Sequence, residues 1–233
     1  MKTRVSWRTG LLLALAAGGV ALAGCRSKTV RPTDPFAGAG GHALARAKAD
    51  LMAGDPDAAR ESLRRALWNG PSAEAHYYLA LIELNTPGGG DQKAAVQHVR
   101  TSIRQHPSAQ AFLLKGVLLE RTEPEQAMTA YRLGLEKAEP GGLTEAILHR
   151  NVGRALAARG DWDDARTHFT RFVQWAEEGR KPLTDPEYAL WGLLLYRQGD
   201  GAAAEIAWNR IRDDALRARV TGAAVGRPVG AGK

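Results

Sequence analysis

The chain has 233 residues, 24% of them charged, and a formal net charge of +7. Its single cysteine excludes an intrachain disulfide and a cluster of thiolate metal ligands. Three of the positive charges lie in the first 24 residues, which hold no acidic side chain, so the remainder carries only +4. Such a small surplus gives no reason to expect a nucleic-acid partner.

The N-terminal segment has the layout of a secretory signal. Lys2, Arg4 and Arg8 form a basic start, and an apolar run follows from Leu11 to Leu22. This run is shorter than the roughly 20 residues that a helix needs to span a membrane. We therefore predict that residues 1–24 are a signal peptide that is removed.

This segment ends in the sequence Leu22-Ala23-Gly24-Cys25, which resembles the lipobox of bacterial lipoproteins. The resemblance implies cleavage before Cys25 and attachment of lipid to its sulfur atom. Arg26, which follows, resembles the residues that accompany outer-membrane sorting, so the expected location is the periplasmic face of the outer membrane. The alternative is an ordinary secretory signal with an incidental cysteine. Residues 25–41 contain two prolines and several glycines without periodicity, which predicts a flexible tether after the lipidated cysteine.

An alanine recurs at intervals of 32 to 39 residues through the rest of the chain, each time shortly after a turn that is Gly-Asp in four of five cases. These alanines are Ala59, Ala95, Ala127, Ala165 and Ala204. A small residue precedes each alanine by about twelve positions: Ala47, Ala80, Gly116, Gly153 and Gly192. A larger residue follows each alanine by four positions: Leu63, Val99, Tyr131, Phe169 and Trp208. This pattern predicts repeated pairs of helices, in which the small residues allow a close approach and the large residue fills the remaining space.

The period and the small-residue positions resemble the tetratricopeptide repeat family, whose repeat is about 34 residues long. The resemblance implies an all-α fold, a solenoid of about five helical hairpins that covers residues 42–214. Repeat two departs from the pattern by an insertion from Thr86 to Gly89, and repeat four places Phe172 where a small residue is usual. Residues 215–233 are predicted to be a capping extension, Ala215–Val220, followed by a disordered basic tail.

No catalytic motif stands out, so we predict that the chain is not an enzyme and needs neither a cofactor nor a metal. It contains no G-x-S-x-G elbow, no phosphate-binding loop and no H-E-x-x-H sequence. The six histidines are scattered, none of them at i, i+4 spacing, and we interpret each as structural.

The resemblance implies a binding surface, because the first helices of successive tetratricopeptide repeats line a concave groove. The residues that map onto this groove are Leu44, Lys48, Tyr77, Leu81, Leu113, Val117, Arg150, Asn151, Arg154, Leu193, Tyr196 and Arg197. Apolar side chains around a basic centre suit an extended peptide or an amphipathic helix that bears acidic residues. The alternative is that the apolar members pack between helices and the arginines are solvated.

The expected function is that of a lipid-anchored adaptor or assembly factor that holds a protein partner near the membrane. Small tetratricopeptide lipoproteins resemble the pilotins of type IV pilus systems, which help a secretin to assemble. The resemblance implies a secretin, or another component of a motility or envelope machine, as the partner. The alternatives are the lipoprotein partner in β-barrel assembly and an adaptor that docks a cell-wall hydrolase.

Overall fold

A computed structural model describes residues 39–86, 90–179 and 181–225, and all regular structure in these ranges is α-helical. The eleven helices are α1 (Ala39–Ala53), α2 (Pro56–Trp68), α3 (Ala73–Asn85), α4 (Gln92–Gln105), α5 (Ala109–Leu119), α6 (Pro124–Lys137), α7 (Leu143–Arg159), α8 (Trp162–Glu178), α9 (Asp185–Arg197), α10 (Gly201–Trp208) and α11 (Asp214–Val225). The all-α fold class predicted from the repeat pattern is confirmed.

The predicted boundaries differ from the helix boundaries at both ends of the repeats. Helix α1 begins at Ala39, three residues before the predicted start at His42. A Cβ atom at Gly40 would lie 3.4 Å from the Cβ of Asn69, so the start of α1 lies beside the end of α2. Helix α11 continues to Val225, five residues beyond the predicted extension. The predicted signal peptide, Cys25, the tether up to residue 38 and the tail from residue 226 lie outside the described residues.

The Gly-Asp turns act as helix stops and starts. The glycine has a left-handed backbone at three of these turns, with φ of 83° at Gly54, 87° at Gly160 and 86° at Gly199. The aspartate then caps the following helix: Asp55, Asp91 and Asp200 each accept the backbone N–H of the residue three positions further, at 2.9 to 3.0 Å. Each turn therefore ends one helix and begins its antiparallel neighbour.

The described helices fall into two compact units, one that ends at Glu139 and one that begins at Pro140. The described part of the first unit contains three hairpins, in which α1 packs on α2, α3 on α4 and α5 on α6. Consecutive hairpins also pack together, because α2 contacts α3 and α4 contacts α5. One apolar cluster runs through these hairpins, with Leu51, Leu63, Ile82 and Val99 fully buried.

The second unit contains the hairpins α7–α8 and α9–α10, together with the single helix α11. Helix α9 also packs on α8, and α11 packs on α9 and α10. Phe172, whose packing the repeat pattern left open, is buried and lies edge-to-face with Phe169 at 5.5 Å between ring centroids. Helix α11 covers the last hairpin through Leu216 and Val220, which pack against its core.

Candidate functional site

The residues predicted to pack each hairpin lie in its interior. Ala59, Ala95, Ala127, Ala165 and Ala204 are all 2% exposed or less. Gly116, Gly153 and Gly192 face the large residue of the opposite helix: an added Cβ would lie 2.2 Å from the Tyr131 ring, 3.2 Å from the Phe169 Cβ and 2.2 Å from the Trp208 Nε1 atom. No side chain larger than hydrogen fits at Gly116 or Gly192 unless the aromatic ring moves.

In the first unit, the predicted groove residues differ in how far they reach solvent. Leu44, Lys48, Tyr77 and Leu113 are half-buried, and Val117 is exposed. Leu81 is only 4% exposed, so it packs in the core and presents no surface to a partner.

Lys48 and Glu74 form an ion pair between the first helices of repeats one and two. The Lys48 Nζ atom lies 2.5 Å from Glu74 Oε1 and 5.8 Å from the centroid of the Tyr78 ring. Burial, and then the nearby Glu74 carboxylate, raise the pKa of Tyr78 to about 12, so its phenol stays protonated at physiological pH. The Lys48 charge is thus already matched within the unit.

In the second unit, the predicted basic centre takes part in internal contacts. Arg150 Nη1 donates to Glu187 Oε1 at 3.0 Å, and the Arg150 guanidinium carbon lies 5.7 Å from the Phe172 ring centroid. Asn151 is 2% exposed and accepts from Arg150 Nε at 3.3 Å. Arg150 therefore joins α7 to α9 while keeping 28% of its side chain exposed. The buried Asn151 contacts Arg150 of its own helix and presents no surface to a partner, so its interpretation as a partner-binding residue is corrected.

The other predicted residues of the second unit lie nearer the surface. Arg154 and Arg197 are exposed, and Leu193 and Tyr196 are half-buried. The Arg197 guanidinium carbon lies 4.1 Å from the Trp162 ring centroid, which holds this cation against the start of α8.

Two histidine pairs lie between the two helices of a hairpin, a pairing that i, i+4 spacing along one helix does not indicate. His76 and His98 place their Nδ1 atoms 3.0 Å apart, and those of His149 and His168 are 2.8 Å apart. Burial, and then the His168 ring, lower the pKa of His149 to about 4, and burial also lowers the pKa of His76 and His98. The repeat pattern contains the signal for these pairs. The first histidine of each pair stands four residues before the small residue of the first helix, and the second stands three residues after the alanine of the second helix.

A cavity of about 410 Å³ opens on the surface of the second unit, between the end of α8, helix α9 and helix α10. Its lining residues are Val173, Ala176, Glu177, Lys181, Leu183, Tyr188, Trp191, Leu195, Ala203, Ile206, Ala207 and Arg210. Ile206 is 65% exposed, although it is a large aliphatic side chain. The lining contains none of the residues predicted for the groove. The sequence signal for it was the aromatic content of the last repeat, of which Tyr188 and Trp191 line this cavity.

The charged residues of this cavity carry a small positive surplus. Lys181 and Arg210 are exposed, and Glu177 is the one acidic residue of the lining. The Lys181 Nζ atom lies 4.4 Å from the centroid of the Trp175 ring, a contact that holds the ammonium group near the cavity. An apolar surface with two cations suits an apolar side chain that is accompanied by a carboxylate.

In residues 39–86, 90–179 and 181–225, no three His, Cys, Asp or Glu side chains lie close enough together to hold a metal ion. None of the helices in these ranges has both the length and the apolar character that crossing a membrane requires.

Residues 44–108 match the family model for the tetratricopeptide repeat. Solved structures that resemble the chain include PilF of Pseudomonas aeruginosa, with a TM-score of 0.65 at 17% identity over 81% of this chain and 83% of that one. MamA of Desulfovibrio magneticus RS-1 gives a TM-score of 0.58 at 16% identity, over 75% of this chain and 93% of that one. YrrB, described as a tetratricopeptide-repeat protein with an unusual peptide-binding site, gives 0.59 at 16% identity, over 77% and 90%.

A comparison with curated protein sequences finds no match. The match over residues 44–108 and these structures show that the fold is of the tetratricopeptide-repeat kind.

Proposed function

We propose that this protein is a lipid-anchored adaptor on the periplasmic face of the outer membrane, which binds a protein partner in the cavity of its second unit. The observation that carries the binding role is this open cavity of about 410 Å³, in which Ile206 is 65% exposed. A cavity of this volume, lined mainly by apolar side chains, lies in the size range of binding sites, and side chains of a partner could fill it.

The chemistry of the cavity favours an amphipathic helix as the partner segment. Apolar side chains on one face of such a helix would contact Trp191 and Ile206. An acidic residue beside them would lie near Lys181 and Arg210, whose two positive charges exceed the single negative charge of Glu177.

The lipid anchor is inferred from the sequence Leu22-Ala23-Gly24-Cys25, since Cys25 is the sole cysteine and stands directly after an apolar signal. Several acyl chains give stable membrane attachment, because each buried methylene adds about 0.8 kcal/mol. Anchoring then confines the protein and a membrane-bound partner to one surface, so that a modest affinity of the cavity is enough.

Among lipid-anchored adaptors, we favour a pilotin-like role in the assembly of a secretin or a related pilus or motility machine. The similarity to the PilF structure supports this choice at the level of the fold, since only 17% of the residues are identical. A partner role in β-barrel assembly and the docking of a cell-wall hydrolase are the alternatives that the experiment distinguishes.

The test is crosslinking in intact cells, followed by purification through a tag at the C-terminus and mass spectrometry of the captured proteins. Ile206→Asp places a negative charge in the cavity and should reduce capture of the partner at least tenfold. Met52→Asp is the matched control, because Met52 is 77% exposed and belongs to the first unit. Both variants should keep the helix content of the wild type.

Capture of a secretin, with loss of secretin multimers in the deletion strain, would support the pilotin-like role. Capture of the β-barrel assembly machinery or of a cell-wall hydrolase would replace it by the corresponding alternative. Equal capture by Ile206→Asp and the wild type would show that the partner does not use this cavity, and capture of no protein above background would refute the adaptor role.

A further inference from the structure

The most exposed large apolar side chain of the described residues is Trp68, at the last position of α2, which is 91% exposed. Tryptophan is usually well buried in soluble domains, because its side chain has a large apolar surface. The adjacent end of α1 does not cover it, although the two helices form one hairpin. Trp68 contributes nothing to the core of the first unit and is available for contact with another surface.

Trp68 lies at the end of the hairpin at which the chain enters the fold. Helices α1 and α2 are antiparallel, and Gly40 at the start of α1 approaches Asn69, the residue after Trp68. The segment from Cys25 to Ala39 joins the proposed lipid anchor to this end. Fourteen residues span at most about 50 Å when fully extended, so the anchor confines this end of the hairpin to the neighbourhood of the membrane.

The side chains that flank Trp68 are basic. Arg64 precedes it by four residues and Arg65 by three, so both lie on the same side of the last helical turn, and both are exposed. Arg65 Nε donates to Glu61 Oε1 at 3.2 Å along the helix surface. A tryptophan beside arginines is the combination that the membrane–water interface favours, with the indole at the level of the headgroups and the guanidinium groups beside the phosphates.

We propose that this tip of the first hairpin, formed by Arg64, Arg65 and Trp68 and here called the Trp68 tip, rests on the phospholipid surface that holds the lipid anchor. This inference rests on the proposed lipid anchor. Lipid contact at the Trp68 tip directs the first hairpin away from the membrane, so that Met52, at the opposite end of the hairpin, points into the periplasm. Anionic lipids strengthen the contact, because their negatively charged headgroups attract both arginines.

The experiment uses the lipidated full chain, purified from membranes and reconstituted into vesicles of phosphatidylethanolamine and phosphatidylglycerol with brominated acyl chains. Bromine quenches only those tryptophans that reach the membrane. Five tryptophans remain after removal of residues 1–24, so contact of Trp68 should quench about a fifth of the fluorescence. The Trp68→Phe variant should lose this quenching.

Two further variants test the position and the charge. Met52→Trp combined with Trp68→Phe moves the tryptophan to the opposite, also exposed end of the hairpin, and its fluorescence should not be quenched. Arg64→Gln combined with Arg65→Gln should reduce the quenching of Trp68 at least twofold in vesicles that contain phosphatidylglycerol.

Flotation of the vesicles separates failure of this inference from failure of the lipid anchor. Protein that floats with the vesicles while Trp68 remains unquenched overturns the membrane contact and leaves the anchor intact. Protein that does not float overturns the anchor and this inference together. A Trp68→Phe variant that loses capture of a protein partner in cells, with no change in quenching, would assign the Trp68 tip to that partner instead.

Discussion

Gly192→Ala should destabilise the last hairpin, although alanine is the better helix former. In the structure, a Cβ atom at residue 192 would lie 2.2 Å from Trp208 Nε1 and 2.5 Å from Trp208 Cδ1, whereas carbon contacts are optimal at about 3.5–4.0 Å. The ring must therefore move by more than about 1 Å. Trp208 is 5% exposed and donates from Nε1 to the Ala189 carbonyl at 3.3 Å, so this movement breaks a buried contact.

The magnitude follows from three opposing contributions. Overpacking costs about 1–3 kcal/mol, and loss of the Trp208 hydrogen bond costs about 1 kcal/mol. The higher helix propensity of alanine recovers up to about 1 kcal/mol. The free energy of unfolding should therefore fall by about 1–4 kcal/mol, as measured by urea denaturation of residues 26–233.

A double-mutant cycle tests the contact itself. Trp208→Leu removes the ring that collides with the new methyl group, so Gly192→Ala should cost about 1–2 kcal/mol less in that background. Gly201→Ala is the control, because a Cβ at residue 201 meets no atom within 4 Å, so the stability should stay unchanged or rise by up to about 1 kcal/mol through helix propensity. Costs of Gly192→Ala and Trp208→Leu that add to within about 0.5 kcal/mol would refute the direct contact.

Three other predictions concern the anchor, a histidine pair and an ion pair. Cys25→Ala should move the protein from the membrane to the soluble periplasmic fraction, and continued membrane retention would contradict the lipid anchor. Burial lowers the pKa of His149 from 6.5 to about 4, so on acidification the unfolded chain takes up a proton before the folded chain does. The free energy of unfolding should therefore fall as the pH drops from 6.5 towards 4 and then level off. The total loss should be at most about 3 kcal/mol. Replacing His149 by Phe and His168 by Ala, the residues at these positions in repeat three, should flatten this slope in urea titrations. Arg150→Ala should lower the free energy of unfolding by about 1–2 kcal/mol, because the Glu187 carboxylate stays largely buried without its ion-pair partner. In a Glu187→Gln background, Arg150→Ala should lose most of this effect.

The repeat pattern could be predicted because packing constrains it locally. Gly153, Ala165 and Phe169 must meet whenever two helices cross closely, so their spacing is visible in the sequence. The exposure of a residue on the first helix of a repeat depends instead on which side chains the neighbouring helices place against it. Arg150 is matched by Glu187, 37 residues later, and no rule of helical spacing connects two residues so far apart. For that reason the sequence predicted the hairpins but not the ion pair that Arg150 forms with Glu187.

The histidine pairs could have been predicted from the sequence by comparing equivalent positions of the repeats. A search at i, i+4 spacing tests only residues on one helix, whereas His149 and His168 lie on the two helices of a hairpin. Aligning the repeats by the small residue of the first helix places His76 with His149. Aligning them by the alanine of the second helix places His98 with His168. The cavity needed more than this alignment, because its lining includes Leu183 of the loop before α9 and Ile206 of α10, whose exposure follows from the packing of several elements.

The size of the cavity limits how tightly it can bind a partner without help from the membrane. A volume of about 410 Å³ admits two or three side chains of a partner helix, and full burial of each is worth about 1.5–3 kcal/mol. The loss of translational and rotational freedom on association opposes this gain and costs at least about 4 kcal/mol. The net gain is at most about 5 kcal/mol, so the cavity alone would give dissociation constants of about 0.2 mM or weaker. Because a lipid anchor raises the local concentration of both partners, the protein would act only where it and its partner share a membrane surface. On this argument, Cys25→Ala abolishes function in cells even though the cavity is unchanged, and a tenfold excess of the unanchored chain restores only part of it.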